Sequence, residues 1–549
     1  LSIATEIDTI QKKSITGMDK LHILLNSKRR AILVTTFEEE RFLKDLETLL
    51  QSKKIEGFTW SIASGLKRMV DGSPVKNGGD PSVLMVKRIA EYDQVAAFVL
   101  KDFHNIWSNP KVNRAVRDVL ETPDKIYKPL IFISPVSKVP PELEKLVSVI
   151  RYELPTRDQV IEQLEVIEKY CRIKGFEVPT GRKREALIHA LVGMTMTEIK
   201  NILKQSIVHY HTVSLNEVIT EKEQIIRKTG LLEYVTKLGD MKNVGGMDIF
   251  KKWIEDAQYA FEPEARKYGV DQIRGTILAG FPGTGKSLLA KSVAQQMNLP
   301  LLKMNMSQIM DSKVGQSEKN IDRALRLAED VSPCVLWIDE LEKGLSGLGS
   351  SDKSDSGTLS RVVQSLLTWL SDKEKPVFVV GTANDITKLP AELTRAGRFD
   401  EIFFVSIPHQ NEREEILKIH LKKRGYQKNT NTTFSNKIIK TLAESMNKFT
   451  GAEIEQVVAE ATRRAYANYR KGKRPQPYIT QKDLADQIDH FVPMAKRMPE
   501  LLTDLRNWAK HSAKCASSEE LQELHPELFK KEETEADKPE FTSDDLFSL

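Results

Sequence analysis

Gly280-Phe-Pro282-Gly283-Thr284-Gly285-Lys286-Ser287 spells Gly-x-x-x-x-Gly-Lys-Ser, a spacing suited to holding a polyphosphate. Glycines let the backbone curl until its N–H groups face a phosphate, and a helix that starts there adds the positive end of its dipole. Lys286 can then reach the β- and γ-phosphates of a nucleoside triphosphate, with Ser287 on a Mg²⁺ ion. Downstream, Val335-Leu-Trp-Ile338 is apolar and runs into Asp339-Glu340. A strand of that kind delivers Asp339 to the metal and leaves Glu340 to orient and polarise an attacking water. Asn384 follows a further apolar run and suits a hydrogen bond to the γ-phosphate or the water. Arg395 and Arg398, three apart on a glycine-containing turn, suit the stabilisation of transition-state charge. Together these residues describe Mg²⁺-dependent hydrolysis of a nucleoside triphosphate such as ATP.

The elements needed to carry them are legible. Thr276–Ala279 reads as a buried strand and Lys286–Met297 as a helix; Cys334–Ile338 and Pro376–Thr382 read as strands, and a helical region begins near Asn411. The N-terminal half has the same succession. A helical lead-in over residues 1–30 precedes a strand at Ala31–Thr35 and a helix from Glu38 to Ser52, and a loop spans Asp71–Pro81. Strands follow at Val95–Leu100 and Pro129–Ser134, with a helix near Lys111–Glu121 between them, and the chain turns helical from Thr156 to about Arg227. Strands alternating with helices predict a parallel sheet in each half.

Local parallels between the halves point to an internal duplication. Lys128-Pro-Leu-Ile-Phe-Ile-Ser134 matches Lys375-Pro-Val-Phe-Val-Val-Gly381, and Glu153-Leu-Pro155 matches Ser406-Ile-Pro408. Val139-Pro-Pro-Glu-Leu143 matches Leu389-Pro-Ala-Glu-Leu393, and the stretch ending Thr-Glu198-Ile199 resembles Phe449-Thr-Gly-Ala-Glu453-Ile454. The first copy lacks the chemistry. Thr35-Thr-Phe-Glu38-Glu-Glu40 stands where a phosphate loop would follow, and three carboxylates repel a triphosphate. Asp102 ends the equivalent acidic strand, but Phe103 replaces the second carboxylate. A structural or docking role is expected for this half.

With 549 residues, of which 40% are hydrophobic and 29% charged, the chain is long enough for several cores and has a globular composition. A net charge of +5 gives by itself no reason to expect nucleic acid or an acidic membrane; a protein partner is expected over nucleic acid, with a nucleic-acid-dependent ATPase or an ATP-regulated assembly protein as the alternatives. Cys171, Cys334 and Cys515 are too scattered for a metal site and suit reduced thiols, and no apolar run has the length of a membrane span. A cytoplasmic location is expected. After Cys515 the chain turns acidic and closes on Asp544-Asp-Leu-Phe-Ser-Leu549, which suits a solvated tail or a docking peptide.

The run Gly381-Thr-Ala-Asn384, Leu389-Pro-Ala-Glu-Leu393, Arg395-Ala-Gly-Arg398-Phe-Asp400 closely resembles the second region of homology of AAA ATPases. Val244-Gly245-Gly246-Met247 resembles the adenine-pocket segment of that family, and Thr450-Gly451-Ala452-Glu-Ile454 resembles the start of its sensor-2 helix. Ala452 stands where related groups carry an arginine, the pattern of the AAA family proper. The degenerate first half and the ending Phe491-Val-Pro-Met-Ala-Lys496 with Leu505-Arg-Asn-Trp508 resemble the uncharacterised AAA proteins of cyanobacterial and plastid genomes, for which a stromal location would hold.

The resemblance implies a P-loop α/β subdomain, a small helical lid and a ring of subunits, typically six, in which Arg395 and Arg398 act on the neighbour's ATP. It implies nucleotide contacts from Gly245, Gly246, Gly280, Pro282, Gly283, Thr284, Gly285, Lys286, Ser287, Leu288, Gly451 and Ala452, and remodelling of a macromolecular partner. The expected organisation is a degenerate α/β domain over 1–155 and its helical subdomain over 156–230. A linker over 231–255, the large ATPase subdomain over 256–408, the lid over 409–492 and a C-terminal helix with acidic tail over 493–549 complete it. One departure is Lys313-Val314-Gly315, where threading members of the family place an aromatic residue first. A lysine there puts processive threading in doubt and sets positive charge along a ring axis. The Gly- and Ser-rich loop 344–357 is expected to line the same pore.

Overall fold

The computed structural model describes residues 15–75, 82–122, 126–262, 264–310, 316–345, 356–386, 391–395, 397–426 and 434–529. The chain divides into two compact units, Leu1–Val218 and Ile219–Leu549.

In the first unit, β1 (Ala31–Thr35), β2 (Glu56–Ser61), β3 (Gly65–Arg68), β4 (Ala96–Lys101), β5 (Leu130–Ser134) and β6 (Ser148–Arg151) form one sheet in the order β3-β2-β4-β5-β1-β6. All neighbours are parallel except the β2–β3 hairpin. Burial on both faces explains the unbroken apolar runs of the central strands. Ala31 and Leu33 join one core with Phe98, Leu100 and Phe132, while Ile32 and Val34 join another with Val99, Ile131 and Ile133. The period of two divides each strand between the two cores.

The second unit is built the same way from β7 (Leu232–Val235), β8 (Gly275–Gly280), β9 (Leu301–Asn305), β10 (Cys334–Asp339), β11 (Val377–Ala383), β12 (Glu401–Val405) and β13 (Lys514–Cys515). Their order is β13-β12-β8-β11-β10-β9-β7, and β7 alone runs antiparallel to its neighbour. With β3, β7 and β13 set aside, the remaining strands read β2-β4-β5-β1-β6 and β9-β10-β11-β8-β12. Numbered within each unit, both are second, third, fourth, first, fifth. That shared succession is what the expected duplication requires.

Helices complete each unit. In the first, Arg157–Lys174 and Met196–Tyr210 start at Thr156 and Thr195, each in a reciprocal capping box. In the second, Gln410–Lys423, Asn436–Ser445, Gly451–Arg470 and Gln481–Asp489 enclose a core of their own around Leu417, Leu442, Val457 and Leu484.

Two stretches differ from expectation. Residues 231–255 are not a linker: β7 pairs with β9, and the helix Asp248–Ala257 buries Phe250 and Ile254 completely. Four residues of strand among polar neighbours left too short an apolar run to recognise. The C-terminal region holds more than the helix Pro499–Ser512: β13 extends the sheet beside β12, and a short helix, Ser518–Leu524, follows. The tail from 530 onward, Lys313 with its triplet, and positions 346–355 of the expected pore loop lie outside the described residues. The three cysteines are buried free thiols.

Candidate functional site

β8 is buried throughout and leads into the glycine loop. A Cβ at Gly280 would sit 2.1 Å from the Val405 carbonyl oxygen, so the strand end accepts no side chain there. Gly283 and Gly285 adopt φ of +78° and +100°, open to glycine at little cost. Gly285 is the N-cap of the helix Lys286–Gln296 and offers no side-chain cap, which leaves the first helical N–H groups to an external acceptor. Thr284 is buried and its hydroxyl donates to the Phe281 carbonyl at 2.8 Å, tightening the loop.

Lys286 is 6% exposed and donates to the carbonyls of Gly280 and Phe281, both at 2.8 Å. Burial pushes its ammonium down to about 8, against the opposing pull of Glu342 and Asp339. A buried cation resting on two neutral carbonyls has a strong reason to prefer a phosphate.

β10 and β11 carry the acids. Ile338 lies opposite Gly381 across the parallel ladder, which sets Asp339 and Glu340 beside Thr382. The Thr382 hydroxyl donates to Asp339 Oδ1 at 2.8 Å and accepts from the Glu340 N–H at 3.2 Å. Asp339 Oδ2 is paired with the Lys303 ammonium at 2.8 Å. Glu340 adopts φ of +51°, turning the chain out of the strand, and its carboxylate meets Lys343 at 2.8 Å in an exposed pair that water competes for. Asn384 follows β11 directly, and its N–H donates to Glu342 Oε1 at 3.0 Å. Glu342 is buried, and its other oxygen has no hydrogen-bond partner. A buried half-satisfied carboxylate beside a buried lysine is a site built for charged company.

The lid closes on the loop from the other side. The Ala452 N–H donates to the Gly283 carbonyl at 3.1 Å, and a Cβ on Gly283 would meet Thr450 Oγ1 at 3.0 Å. The Val244–Met247 segment is tied to the lid helix Gln410–Lys423, since Gly246 N donates to Glu415 and Met247 N to Glu412. Gly245, Gly246, Gly451 and Ala452 therefore flank the junction between sheet and lid. These residues fit a nucleoside triphosphate and its metal: free N–H groups in the loop, a buried lysine, Ser287 at the second helical position, and Asp339 at the end of the adjacent-but-one strand.

The two arginines are not brought to this site. Asp400 accepts from the N–H groups of Arg274 and Gly275, at 2.6 and 2.7 Å, which pins the turn to the start of β8. The phosphate loop leaves its far end, about 16 Å away at a strand's usual rise. Arg395 is exposed, and Arg398 is half-buried with its guanidinium on the Glu392 carbonyl.

Lys303, Thr382 and Glu342 are contacts that the motif reading missed. Only Lys303 leaves a trace in the sequence, as a lone charge in Leu301-Leu-Lys-Met304.

The AAA model (ATPase family associated with various cellular activities) matches residues 276–407. Models for the N-terminal domain and the second domain of SpoVK-like AAA ATPases match 18–152 and 158–229. The chain belongs to the AAA ATPase family. Within it, the "Uncharacterized AAA domain-containing protein ycf46" of Guillardia theta is 32% identical over 493 residues, 89% of this chain and 94% of the relative. The protein of the same description from Pyropia yezoensis is 33% identical over 500 residues, 89% and 96% of the two chains. The "ATP-dependent zinc metalloprotease FtsH" of Cyanidium caldarium is 30% identical over 259 residues, 46% of this chain and 39% of that one. Among the described residues no helix is long and apolar enough to cross a membrane.

Proposed function

We propose that the second unit hydrolyses Mg²⁺-bound ATP within a ring of identical chains, six in the family's usual arrangement, and uses the turnover to remodel a protein partner. The observation that carries the ring is the placement of the arginines. Asp400 ties the turn that carries them to the entering end of β8, while the chain's own phosphate loop leaves the other end, which supports action on a neighbour's nucleotide.

The loop N–H groups and Lys286 hold the β- and γ-phosphates. Ser287 and Asp339 hold Mg²⁺, which when bound draws negative charge from the phosphate oxygens. Glu340 breaks its exposed pair with Lys343 and orients the water, and Asn384 holds the γ-phosphate or the water in line. The neighbour's Arg395 and Arg398 balance charge as the bond to the leaving group lengthens. Lid helices tied to the nucleotide segment through Glu412 and Glu415 carry the change outward, to the first unit or to a pore. The cytoplasm or a plastid stroma is the compartment that suits this reading.

Complementation tests it. A Lys286→Ala chain keeps its arginines, and an Arg395→Ala/Arg398→Ala chain keeps its phosphate loop. Each alone should lose about a thousandfold or more in turnover, the range seen for arginine fingers. Mixing the two should restore a substantial fraction, since some interfaces then combine an intact loop with intact arginines. Activity that stays absent on mixing, in a sample shown to co-assemble, would sink the assignment.

A further inference from the structure

The carboxylate read as the metal ligand already has a cation. Asp339 Oδ2 lies 2.8 Å from Lys303 Nζ, and Lys303 is held in turn 4.4 Å over the face of Trp337. The parallel register explains the geometry: Lys303 lies opposite Trp337, and Asn305 opposite Asp339. Residues 303, 337 and 339 therefore project from the same face of the sheet, and the lysine stem runs along β9 to reach the acid one step further on. Trp337 is 3% exposed, so its ring is a fixed platform. Lys291, one turn beyond Ser287, stands 5.8 Å from the same ring and adds positive charge to that side.

Thr382 makes Lys303's charge separable from its geometry. The threonine hydroxyl accepts from Glu340 N and lies 3.4 Å from the Trp337 indole N–H, so its own proton goes to Asp339 Oδ1. That bond orients the carboxylate without help from the lysine. The lysine's remaining effect is electrostatic: an ammonium in direct contact with one carboxylate oxygen neutralises much of the charge a divalent ion would seek, and repels the ion itself.

We propose that Lys303 is a positioning residue that weakens the hold of Asp339 on Mg²⁺, so that the ion enters and leaves with the nucleotide instead of residing on the protein. This rests on the reading of Asp339 as the metal carboxylate. A protein that must release ADP on every cycle gains from a metal site of low intrinsic affinity, because a strongly bound ion would anchor the product.

The test uses the full chain and a binding readout. With ADP saturating, the melting temperature is followed against MgCl₂, and the concentration giving half of the Mg²⁺-dependent rise is read off. Lys303→Met should lower that concentration about threefold to tenfold, and Lys303→Gln should do the same; Lys303→Arg, which keeps the charge, should leave it near wild type. In an Asp339→Asn background Lys303→Met should have no effect, because the acid it screens is gone. A half-point in Lys303→Met that is unchanged or higher, with the wild type responding normally to Mg²⁺, overturns the proposal and leaves the site reading standing. A wild type whose melting temperature ignores Mg²⁺ with both ADP and ATP overturns the site reading, and the lysine's role with it.

Discussion

The two units use one strand order for opposite ends, and the difference is concentrated where the first strand gives way to its helix. In the second unit five residues, 281–285, separate β8 from its helix; in the first only three, 36–38, separate β1 from the helix Glu39–Ser52. Three residues leave no room for a phosphate cradle. The first unit fills the place with its own charge. Glu38 is 4% exposed, pairs with Arg41 at 3.1 Å, and accepts the backbone N–H of Met196 at the start of a helix capped by Thr195. Arg41 continues to Gln159 and the Glu153 carbonyl and lies over the Tyr152 ring. In the second unit the matching helix start, capped by Thr450, is met by the Gly283 carbonyl through Ala452 N. One architecture thus supports either an external anion held by glycine N–H groups or an internal carboxylate that ties the same two elements together permanently. The first unit holds a fixed joint where the second carries its glycine loop.

If that joint matters, breaking it should damage the first unit more than any comparable change damages the second. Glu38→Ala removes one partner of a buried charged network and leaves Arg41 with neutral partners, Gln159 and the Glu153 carbonyl. It should destabilise the first unit by about 3 kcal/mol, the usual scale for a broken buried pair. Denaturant unfolding should show the loss in the transition of that unit, while ADP binding by the second unit stays unchanged. A loss below about 0.5 kcal/mol, the level of an ordinary surface substitution, would mean that Glu38 is incidental.

The opposite change tests the second unit. Gly283→Ala places a methyl 3.0 Å from Thr450 Oγ1 and 3.4 Å from the Ala452 Cβ, at a φ that alanine adopts under strain. The expected cost is about 1–2 kcal/mol, appearing as a lower melting temperature and as weaker ADP stabilisation, because the loop and the lid helix are pushed apart. Equal ADP stabilisation in variant and wild type would show that the loop–lid contact does not help to hold the nucleotide.

How much of this was legible depended on where each signal resides. The phosphate loop, the acid pair and the central strands are local: Gly280–Ser287 carries its own spacing, and Val335–Ile338 is apolar on both faces because both faces are buried. Edge elements carried no such mark. β3 has four residues and none of them is buried, β7 has four residues, and the two residues of β13 are a strand only because they pair with Phe403 and Phe404. The acidic stretch after β1 was legible as hostile to a phosphate, but not as a capping carboxylate, since its partner Met196 lies far along the chain. Lys303 stands out only as a lone charge in an apolar strand, and its partner was not legible for the same reason: strand register, not sequence spacing, brings it to Asp339.

The smallest expected effect lies at the first helix after each sheet. Thr156 and His409 occupy matching positions, each following a Leu-Pro or Ile-Pro step and each at the N-cap of its helix. The first unit caps with the Thr156 hydroxyl, which does not titrate in this range. In the second, His409 Nε2 contacts Glu520 Oε2 at 2.8 Å and Nδ1 faces Glu523 at 3.7 Å, with Glu412 on its own helix and Arg506 bonded to both Glu520 and Glu523. The hydrogen bond to Glu520 raises the imidazole above its ordinary value of about 6.5, against the opposing effect of burial. A group whose folded value is raised stabilises fully below the unfolded value and loses that contribution as pH climbs through the folded one. The second unit should therefore lose stability as pH climbs above about 6.5, relative to His409→Gln, whose amide does not titrate. The first unit should show no such difference. Because Glu520 belongs to the segment that follows β13, the loss should appear as earlier release of that segment, read by amide hydrogen exchange at Ala516, whose N–H bonds the Phe404 carbonyl. Equal pH slopes for wild type and variant would show that Arg506 alone holds Glu520, and that the clamp does not sense pH.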